Sequence, residues 1–118
     1  MIMHSDKTII NIREQVTIMG RNDIDKTLMA KIDTGATRSS IDTRLASELK
    51  LGPIVMTKLI KSAHGNSLRP IVDATIEIAG KKIHTQFTIA DRKHMKYKVL
   101  IGVNTLREDG FLIDPLKE

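Results

Sequence analysis

The chain has 118 residues, enough for a modest hydrophobic core, and we expect a single domain over residues 1–118. Its 19 Lys and Arg against 14 Asp and Glu give a net charge of +5, which favours acidic partners. Two Phe, one Tyr and no Trp argue against a base-stacking platform for nucleic acid. The absence of cysteine excludes disulfides and thiolate metal sites, and no apolar run is long enough to cross a membrane. With no signal-peptide pattern in the first residues, the sequence is consistent with a cytoplasmic protein.

Strand patterns dominate the chain, with one convincing helix. In order, we predict one or two strands in 8–20, a strand in 26–33, a short strand in 38–42, a helix in 42–52, two hairpin strands in 55–63 and 68–79, a strand in 82–90, a buried strand in 97–102, a helical turn in 103–109 capped by Asn104, and a last strand in 110–114. The helix has an Asp-Thr start and a Gly52-Pro53 stop, and the His-Gly-Asn-Ser segment supplies the hairpin turn. Because strands and helices do not alternate regularly, a Rossmann-like sheet is disfavoured and the expected fold is mainly β.

A lone carboxylate, Asp33, ends one of these strands at a Thr-Gly-Ala corner. The period-two alternation of the strand places Asp33 on one face with Met29 and Lys31. A buried charge needs partners, so Asp33 is either an ordinary turn residue or is held there for chemistry. The same motif resembles that of aspartyl-phosphate enzymes, but their chemistry rests on a doubly wound sheet that this pattern does not predict.

A second segment has the same shape as the one that carries Asp33. Residues 32–36 and 99–103 both run from an apolar strand to a glycine corner, and aligning Gly35 with Gly102 puts Leu100 opposite Asp33. An early Asp-Thr-Gly-Ala and a late apolar-Gly strand resemble the layout of a retropepsin subunit. This resemblance implies a closed β-barrel with one helix and a flap hairpin.

The chemistry of that fold explains why such a chain would pair with itself. Each retropepsin subunit supplies one aspartate. Two carboxylates at close range cannot both ionise, so their apparent pKa values separate and one acts as an acid while the other acts as a base. Since this chain offers Leu100 in place of a second aspartate, the resemblance implies a homodimer that pairs Asp33 with its copy in the partner. The terminal segments 8–12 and 110–114 would then either form the interface sheet or close each subunit's own barrel.

Four blocks extend the resemblance over about residues 28–115. They are AKIDTGATRSSI, KSAHGNSLRPIVDATI, FTIADRKHMKYKVLIG and GFLIDP. In this order they resemble the family labelled ATP-dependent zinc proteases, the RimB-like retropepsin relatives found beside glutamate-adding ligases of the RimK type. The resemblance implies that Asp33, Thr34 and Gly35 carry the catalytic motif. The substrate-binding residues it implies are Ala36, Arg38, His64, Gly65, Arg69 and Arg92. The chain departs from the family at Val103, where an arginine is usual.

The zinc and ATP parts of that label find no support among the residues. The sequence has no G-x-x-x-x-G-K-[ST] loop and no H-E-x-x-H motif. Its histidines show no ligand spacing; they are His4, His64, His84 and His94. We therefore expect neither a metal nor a cofactor.

The sequence thus predicts an aspartic-type peptidase or amidohydrolase that acts as a homodimer on peptides, including acidic, glutamate-rich ones. A basic rim for such a peptide would consist of Lys31, Arg38, Arg69 and Arg92. Arg69 and Arg92 are equally well explained as ion-pair partners of Asp73 and Asp91. Two alternatives come from other classes: a catalytically silent module that grips an extended peptide by strand addition, and a metal-dependent hydrolase as the family label states.

Overall fold

The computed structural model describes residues 7–63 and 65–117, and these residues are mainly in strands. The elements are β1 (Ile9–Ile10), β2 (Arg13–Met19), β3 (Asp25–Ile32), β4 (Ser39–Asp42), α1 (Thr43–Glu48), β5 (Ile54–Ser62), β6 (Gly65–Ile78), β7 (Lys81–Ala90), β8 (Val99–Ile101), α2 (Val103–Leu106) and β9 (Leu112–Ile113). The predicted order of strands, helix, hairpin and helical turn is therefore confirmed, with differences at several boundaries.

Six of the strands close into a barrel. They follow the order β2-β3-β8-β4-β7-β6, and β6 pairs back with β2 from Val16↔Ile78 to Met19↔Thr75. The apolar residues of these strands alternate inward, so that Val16, Ile18 and Phe87 are fully buried. Each of the six barrel strands pairs with two neighbours over at least part of its length, and β5 is added outside the ring, on β6.

The helix α1 begins where the sequence predicts and ends earlier. The side chain of Asp42 accepts a hydrogen bond from the backbone N–H of Arg44, as an N-cap does. The prediction extended the helix to residue 52, but it stops at the C-cap Leu49 because Lys50 takes a left-handed conformation with φ of 54°. Leu45 and Leu49 are both buried against the barrel, as their spacing predicts.

The cap predicted for the helical turn α2 is wrong. Its N-cap is Gly102, with no side-chain hydrogen bond, and Asn104 lies inside the turn. The side chain of Asn104 is instead used elsewhere, where it accepts a hydrogen bond from the backbone N–H of Ser39 at 2.7 Å. A cap preference read from sequence was overridden by a tertiary contact across 65 residues of chain.

The predicted hairpin is present and longer than expected. Pairing of β5 with β6 runs from Ile54↔Val72 to Ser62↔Gly65, so residues 65–67 belong to the strand rather than to the turn. The predicted tip residue His64 lies outside the described residues. A register shift between Ile54 and Met56 marks the base of the hairpin.

The two terminal strands pair with each other inside the chain. β1 and β9 are parallel, with Ile9 opposite Leu112 and Ile10 opposite Ile113. They form a separate two-stranded sheet and are not strands of the barrel, so the expected barrel-closing role is not seen, and the role in a dimer interface stays a prediction. Within the described part of the chain, no helix has the length and apolar character needed to span a membrane.

Candidate active site

Asp33 stands where β3 leaves the barrel. β3 pairs in parallel with β8, Ile32 lies opposite Ile101, and the backbone N–H of Asp33 donates to the carbonyl oxygen of Ile101 at 2.9 Å. One carboxylate oxygen accepts a hydrogen bond from the N–H of Gly35 at 2.9 Å, and the other lies 4.0 Å from Nζ of Lys31. The Asp33 side chain remains 30% exposed. The carboxylate is thus fixed in orientation and still accessible to a ligand.

The late glycine corner supports the loop that carries Asp33. Gly102 is buried, and a Cβ added there would lie 2.6 Å from the carbonyl carbon of Arg38 and 2.8 Å from the carbonyl oxygen of Ala36. The next residue, Val103, donates its N–H to that same oxygen at 2.8 Å. The two segments that the sequence paired on their glycines therefore touch, because only a glycine lets the backbones approach this closely.

Hydrogen bonds from buried hydroxyl and amide groups stabilise the contact between the Gly102 corner and the loop that carries Asp33. The hydroxyl of Ser39 accepts a hydrogen bond from the N–H of Gly102 at 2.9 Å and lies within hydrogen-bond distance of the Thr105 hydroxyl. Thr105 in turn contacts the hydroxyl of Thr85 at 2.7 Å, and Asn104 donates to the carbonyl oxygen of Gln86 at 3.0 Å. Sequence reasoning missed Ser39, Thr85 and Thr105. The signal that could have found Ser39 and Thr85 is a polar residue at an inward strand position, whereas Thr105 lies in α2 and carries no such signal.

The departure from the family at Val103 has a structural counterpart. Val103 is half-buried, and its backbone rather than its side chain binds the Asp33 loop. Hydrogen bonding between α2 and the loop comes instead from Asn104, whose side-chain oxygen accepts from both the N–H and the hydroxyl of Ser39. The loop is therefore held without the usual arginine.

The residues that follow Asp33 lie on the solvent side of its contact with the Gly102 corner. Thr34 and Gly35 are exposed, while Ala36 is half-buried and turned into the crossing through its carbonyl oxygen. Arg38 is half-buried at the meeting point of two cavities of about 630 Å³ and 390 Å³, both also lined by Lys58. The smaller cavity lies between the hairpin and strands β4 and β7, and Arg69 lines it.

Arg92 lies apart from Arg38, in a third cavity of about 550 Å³ that it shares with Lys31. Its Nε donates to the carbonyl oxygen of Tyr97 at 3.0 Å. Burial lowers the pKa of Arg92, with a further lowering from the nearby charge of Arg69, while Asp42 acts in the opposite direction. The basic rim expected from sequence is thus divided between two cavities on the hairpin side and one on the Lys31 side.

The alternative role expected for Arg69 and Arg92, as ion-pair partners of Asp73 and Asp91, is not found in the described residues. Asp73 accepts from Gln86 Nε2 at 3.2 Å, and Asp91 lies 3.9 Å from Nζ of Lys93. Neither arginine forms an ion pair within 4.0 Å in the described part of the chain, although the Asp42 carboxylate acts electrostatically on Arg92.

Asp42 is the buried carboxylate that fixes the segment carrying Arg92. Its burial tends to raise the pKa, but hydrogen bonds from the backbone N–H groups of Arg92, Leu45 and Arg44, together with the charge of Lys98, outweigh it. The pKa of Asp42 is therefore held below its ordinary value. The N–H of Arg92 donates to Asp42 at 2.7 Å, so one side chain caps α1 and anchors the following loop.

Metal binding has no visible donor set in this part of the molecule. Within residues 7–63 and 65–117, no group of three or more His, Cys, Asp or Glu side chains could hold a metal ion. A protein zinc site needs such a group, and the described residues do not supply one.

Solved structures similar to this one define the class of protein. The chain is similar to protein Lpg0085 of Legionella pneumophila, of unknown function, with 20% identity over 93% of this chain and 94% of that one and a TM-score of 0.62. The chain is also similar to the Simian Foamy Virus (mac) protease, with 19% identity over 80% of this chain and 91% of that one and a TM-score of 0.59. A third similar structure is the EIAV protease complexed with the inhibitor HBY-793, with 26% identity over 83% of this chain and 86% of that one and a TM-score of 0.63. The fold is a retropepsin-like β-barrel, and the predicted fold class is confirmed.

The family follows from the sequence itself. The RimB-like family model, described as "Retropepsin-like aspartic endopeptidase RimB", matches residues 45–118, and the chain belongs to this family. The matched region begins after the Asp33 motif, so the assignment rests on the hairpin, β7, β8 and the late glycine corner. The family description does not confirm the zinc protease label. No functionally curated protein matches the chain significantly.

Proposed function

We propose that this chain is an aspartic-type peptidase or amidohydrolase, folded as one domain, that works as a homodimer. The observation that carries the proposal is the Asp33 carboxylate, oriented by the N–H of Gly35 at 2.9 Å and left partly exposed on a loop that Gly102 supports. Membership of a family of aspartic endopeptidases supports the same reaction type.

In the proposed dimer, Asp33 and the partner subunit's Asp33 hold one water between them. Two adjacent carboxylates cannot both ionise, so one is protonated and the other is ionised. The ionised carboxylate takes a proton from the water as the water oxygen adds to the peptide carbonyl, and the protonated carboxylate gives its proton to the carbonyl oxygen. The carboxylate that took the water proton then gives it to the amide nitrogen, and one hydroxyl of the tetrahedral intermediate gives its proton to the other carboxylate. The carbon–nitrogen bond breaks, and the pair returns to its starting state.

The local structure supports a dimeric site in a specific way. Within the chain, Leu100 of β8 lies opposite Lys31 of β3, so the second glycine segment brings an apolar side chain rather than a carboxylate to the crossing. The exposed hydroxyl of Thr34 is free to bond across a two-fold axis. A second carboxylate would therefore come from another copy of the chain.

The substrate class that we propose is a peptide rich in acidic residues. Lys31, Arg38, Arg69 and Arg92 line three cavities whose walls include Ile32 and Thr37, on either side of the Asp33 loop. Guanidinium groups bind carboxylates through paired hydrogen bonds. Arg69→Gln and Arg92→Gln should therefore lower kcat/KM for a glutamate-rich peptide at low salt more than for a neutral one. Arg44→Gln, an exposed arginine on α1, is the matched control.

The decisive experiment compares the chain with its Asp33→Asn variant. We expect the variant to keep its fold and dimer and to lose hydrolysis, since the exchange is isosteric and removes the charge that activates water. Asp25→Asn, at an exposed position on the same strand, should remain active. Pepstatin-type inhibition supports the proposal, whereas full activity in Asp33→Asn, or activity lost with a chelator and restored by zinc, contradicts it.

A peptide-binding module without catalysis is the second candidate, and one observation favours it. β5 pairs only with β6 among the described strands, which leaves its outer edge open to strand addition. Exposed apolar side chains accompany this edge; they are Ile54, Val55, Met56 and Leu59. Peptide binding that is saturable, without turnover at any pH, would favour this candidate over the peptidase.

A further inference from the structure

Three buried polar atoms lack a hydrogen-bond partner in the described part of the chain, and all three belong to residues that line the same cavity. They are Nε of Arg38, Oγ of Ser40 and Oγ1 of Thr88. The cavity, of about 390 Å³, lies between the hairpin and strands β4 and β7. Folded proteins pair nearly all of their buried polar groups, because an unpaired one has lost water without gaining a partner.

The sheet register explains how these atoms come together. β4 and β7 are parallel neighbours, and Ser40 lies directly opposite Thr88. Paired residues of adjacent strands project from the same face of a sheet, so the two hydroxyls lie side by side. Arg38 precedes Ser40 by two residues, and its side chain lines the same cavity. Three donors therefore converge without help from any flexible segment.

The charge around this cavity has one sign. Arg38, Lys58, Lys61 and Arg69 line it, and its lining contains no aspartate or glutamate. The wall is completed by Leu59 and Ile60, which offer apolar surface for an aliphatic stem. Cations and hydroxyl donors without an acidic partner are suited to a bound anion, and a planar carboxylate fits a guanidinium together with two hydroxyls.

We propose that this cavity binds a carboxylate of the peptide substrate through Arg38 Nε, Ser40 Oγ and Thr88 Oγ1. The inference rests on the proposed function and adds three specific groups to the basic residues that it assigns to acidic peptides. The carboxylate comes either from a glutamate side chain or from the C-terminus of the peptide. The three groups act on substrate binding, and Asp33 remains the catalytic residue.

Binding is measured by calorimetry with the full chain carrying Asp33→Asn, so that no peptide is consumed. The probes are tetraglutamate blocked at both ends, tetraglutamine blocked at both ends, and tetraglutamine with a free C-terminus. Blocked tetraglutamate should bind more tightly than blocked tetraglutamine. Adding Thr88→Val or Ser40→Ala should then weaken tetraglutamate binding by about tenfold and leave blocked tetraglutamine unchanged. Tetraglutamine with a free C-terminus could bind more tightly than blocked tetraglutamine, and Thr88→Val could remove that difference. This result supports the proposed site, with the terminal carboxylate as its ligand.

A stability measurement distinguishes this role from a structural one. Because the Thr88 hydroxyl has no partner in the free chain, Thr88→Val should leave the thermal unfolding midpoint unchanged or raise it. The control is Thr27→Val, which removes a hydroxyl that bonds Thr17 at 2.7 Å outside the cavity, and it should not affect peptide binding. A lowered midpoint in Thr88→Val together with unchanged peptide affinity would overturn the proposal.

Failure of the cavity and failure of the peptidase give different results. Suppose that kcat/KM is equal for longer peptides that contain a tetraglutamate or a tetraglutamine segment, and that Thr88→Val changes neither value. This result overturns the proposed carboxylate site and leaves the peptidase proposal intact. Tight tetraglutamate binding that depends on Thr88, with no hydrolysis of any peptide by the chain with its native Asp33, supports the cavity and overturns the peptidase.

Discussion

Gly102 lies against the backbone of Arg38 so closely that a single added carbon would not fit. A Cβ at this position would be 2.6 Å from the Arg38 carbonyl carbon and 2.7 Å from its oxygen. Since the φ of Gly102 is −101°, its conformation suits any residue, and the requirement for glycine comes from contact alone. The glycine is therefore a spacer between β8 and the loop that carries Asp33.

Gly102→Ala should lower the free energy of unfolding by about 1–3 kcal/mol and abolish hydrolysis, because relief of the contact displaces the Asp33 loop. Chemical denaturation and a peptide hydrolysis assay measure the two effects. Gly80→Ala is the control: it has φ of 77° and open space around it, so it should lose stability but keep activity. An active, fully stable Gly102→Ala would contradict the spacer role.

Asn104→Ala should destabilise the chain by about 1–3 kcal/mol, since it leaves the part-buried N–H of Ser39 without its acceptor at 2.7 Å. Urea denaturation checks the size of the effect, with Asn66→Ala at an exposed hairpin position as control. The loss should be accompanied by faster amide exchange at Ser39. Unchanged stability would show that the Ser39 N–H finds another partner.

The stability contributed by Asp42 should depend on pH. Its folded-state pKa lies below the ordinary value of 3.8, so its contribution is complete above that value and is lost as the pH falls through the folded-state pKa. Asp42→Asn should therefore cost about 1–2 kcal/mol at pH 7, and the difference from the native chain should shrink below about pH 4. Denaturation curves at pH 7, 5, 4 and 3 test this. A difference that stays constant down to pH 3 would contradict it.

Thr34→Val should weaken the proposed dimer without affecting the folded subunit, since the exposed hydroxyl of Thr34 is assigned to a bond across the dimer axis. Sedimentation at several concentrations measures the dissociation constant, and Thr57→Val on the exposed hairpin is the control. If both variants dimerise as the native chain does, the hydroxyl does not bridge the subunits.

The sequence predicted the strand that ends in Asp33 and the glycine corner after Ile101 because both signals are local: a period-two pattern and a glycine at its end. The adjacency of the two corners followed only from their resemblance to a known layout. The function of Asn104 and the side-by-side position of Ser40 and Thr88 could not be predicted, since they depend on which strands become neighbours in the barrel. The end of α1 was also missed, because Lys50 adopts a left-handed conformation that its residue type disfavours.

The hairpin extends beyond the barrel that anchors it. Pairing of β6 with β7 begins at Ile71↔Thr88, so residues 66–70 of β6 pair with β5 alone among the described strands, and a register shift lies at the base near Met56. Such a two-stranded arm, exposed along most of its length, belongs to the parts of a fold that open without global unfolding. Opening of this arm would uncover from the side the cavity that Lys58, Leu59 and Ile60 help to line, so an extended chain could enter it laterally, without being threaded in by an end.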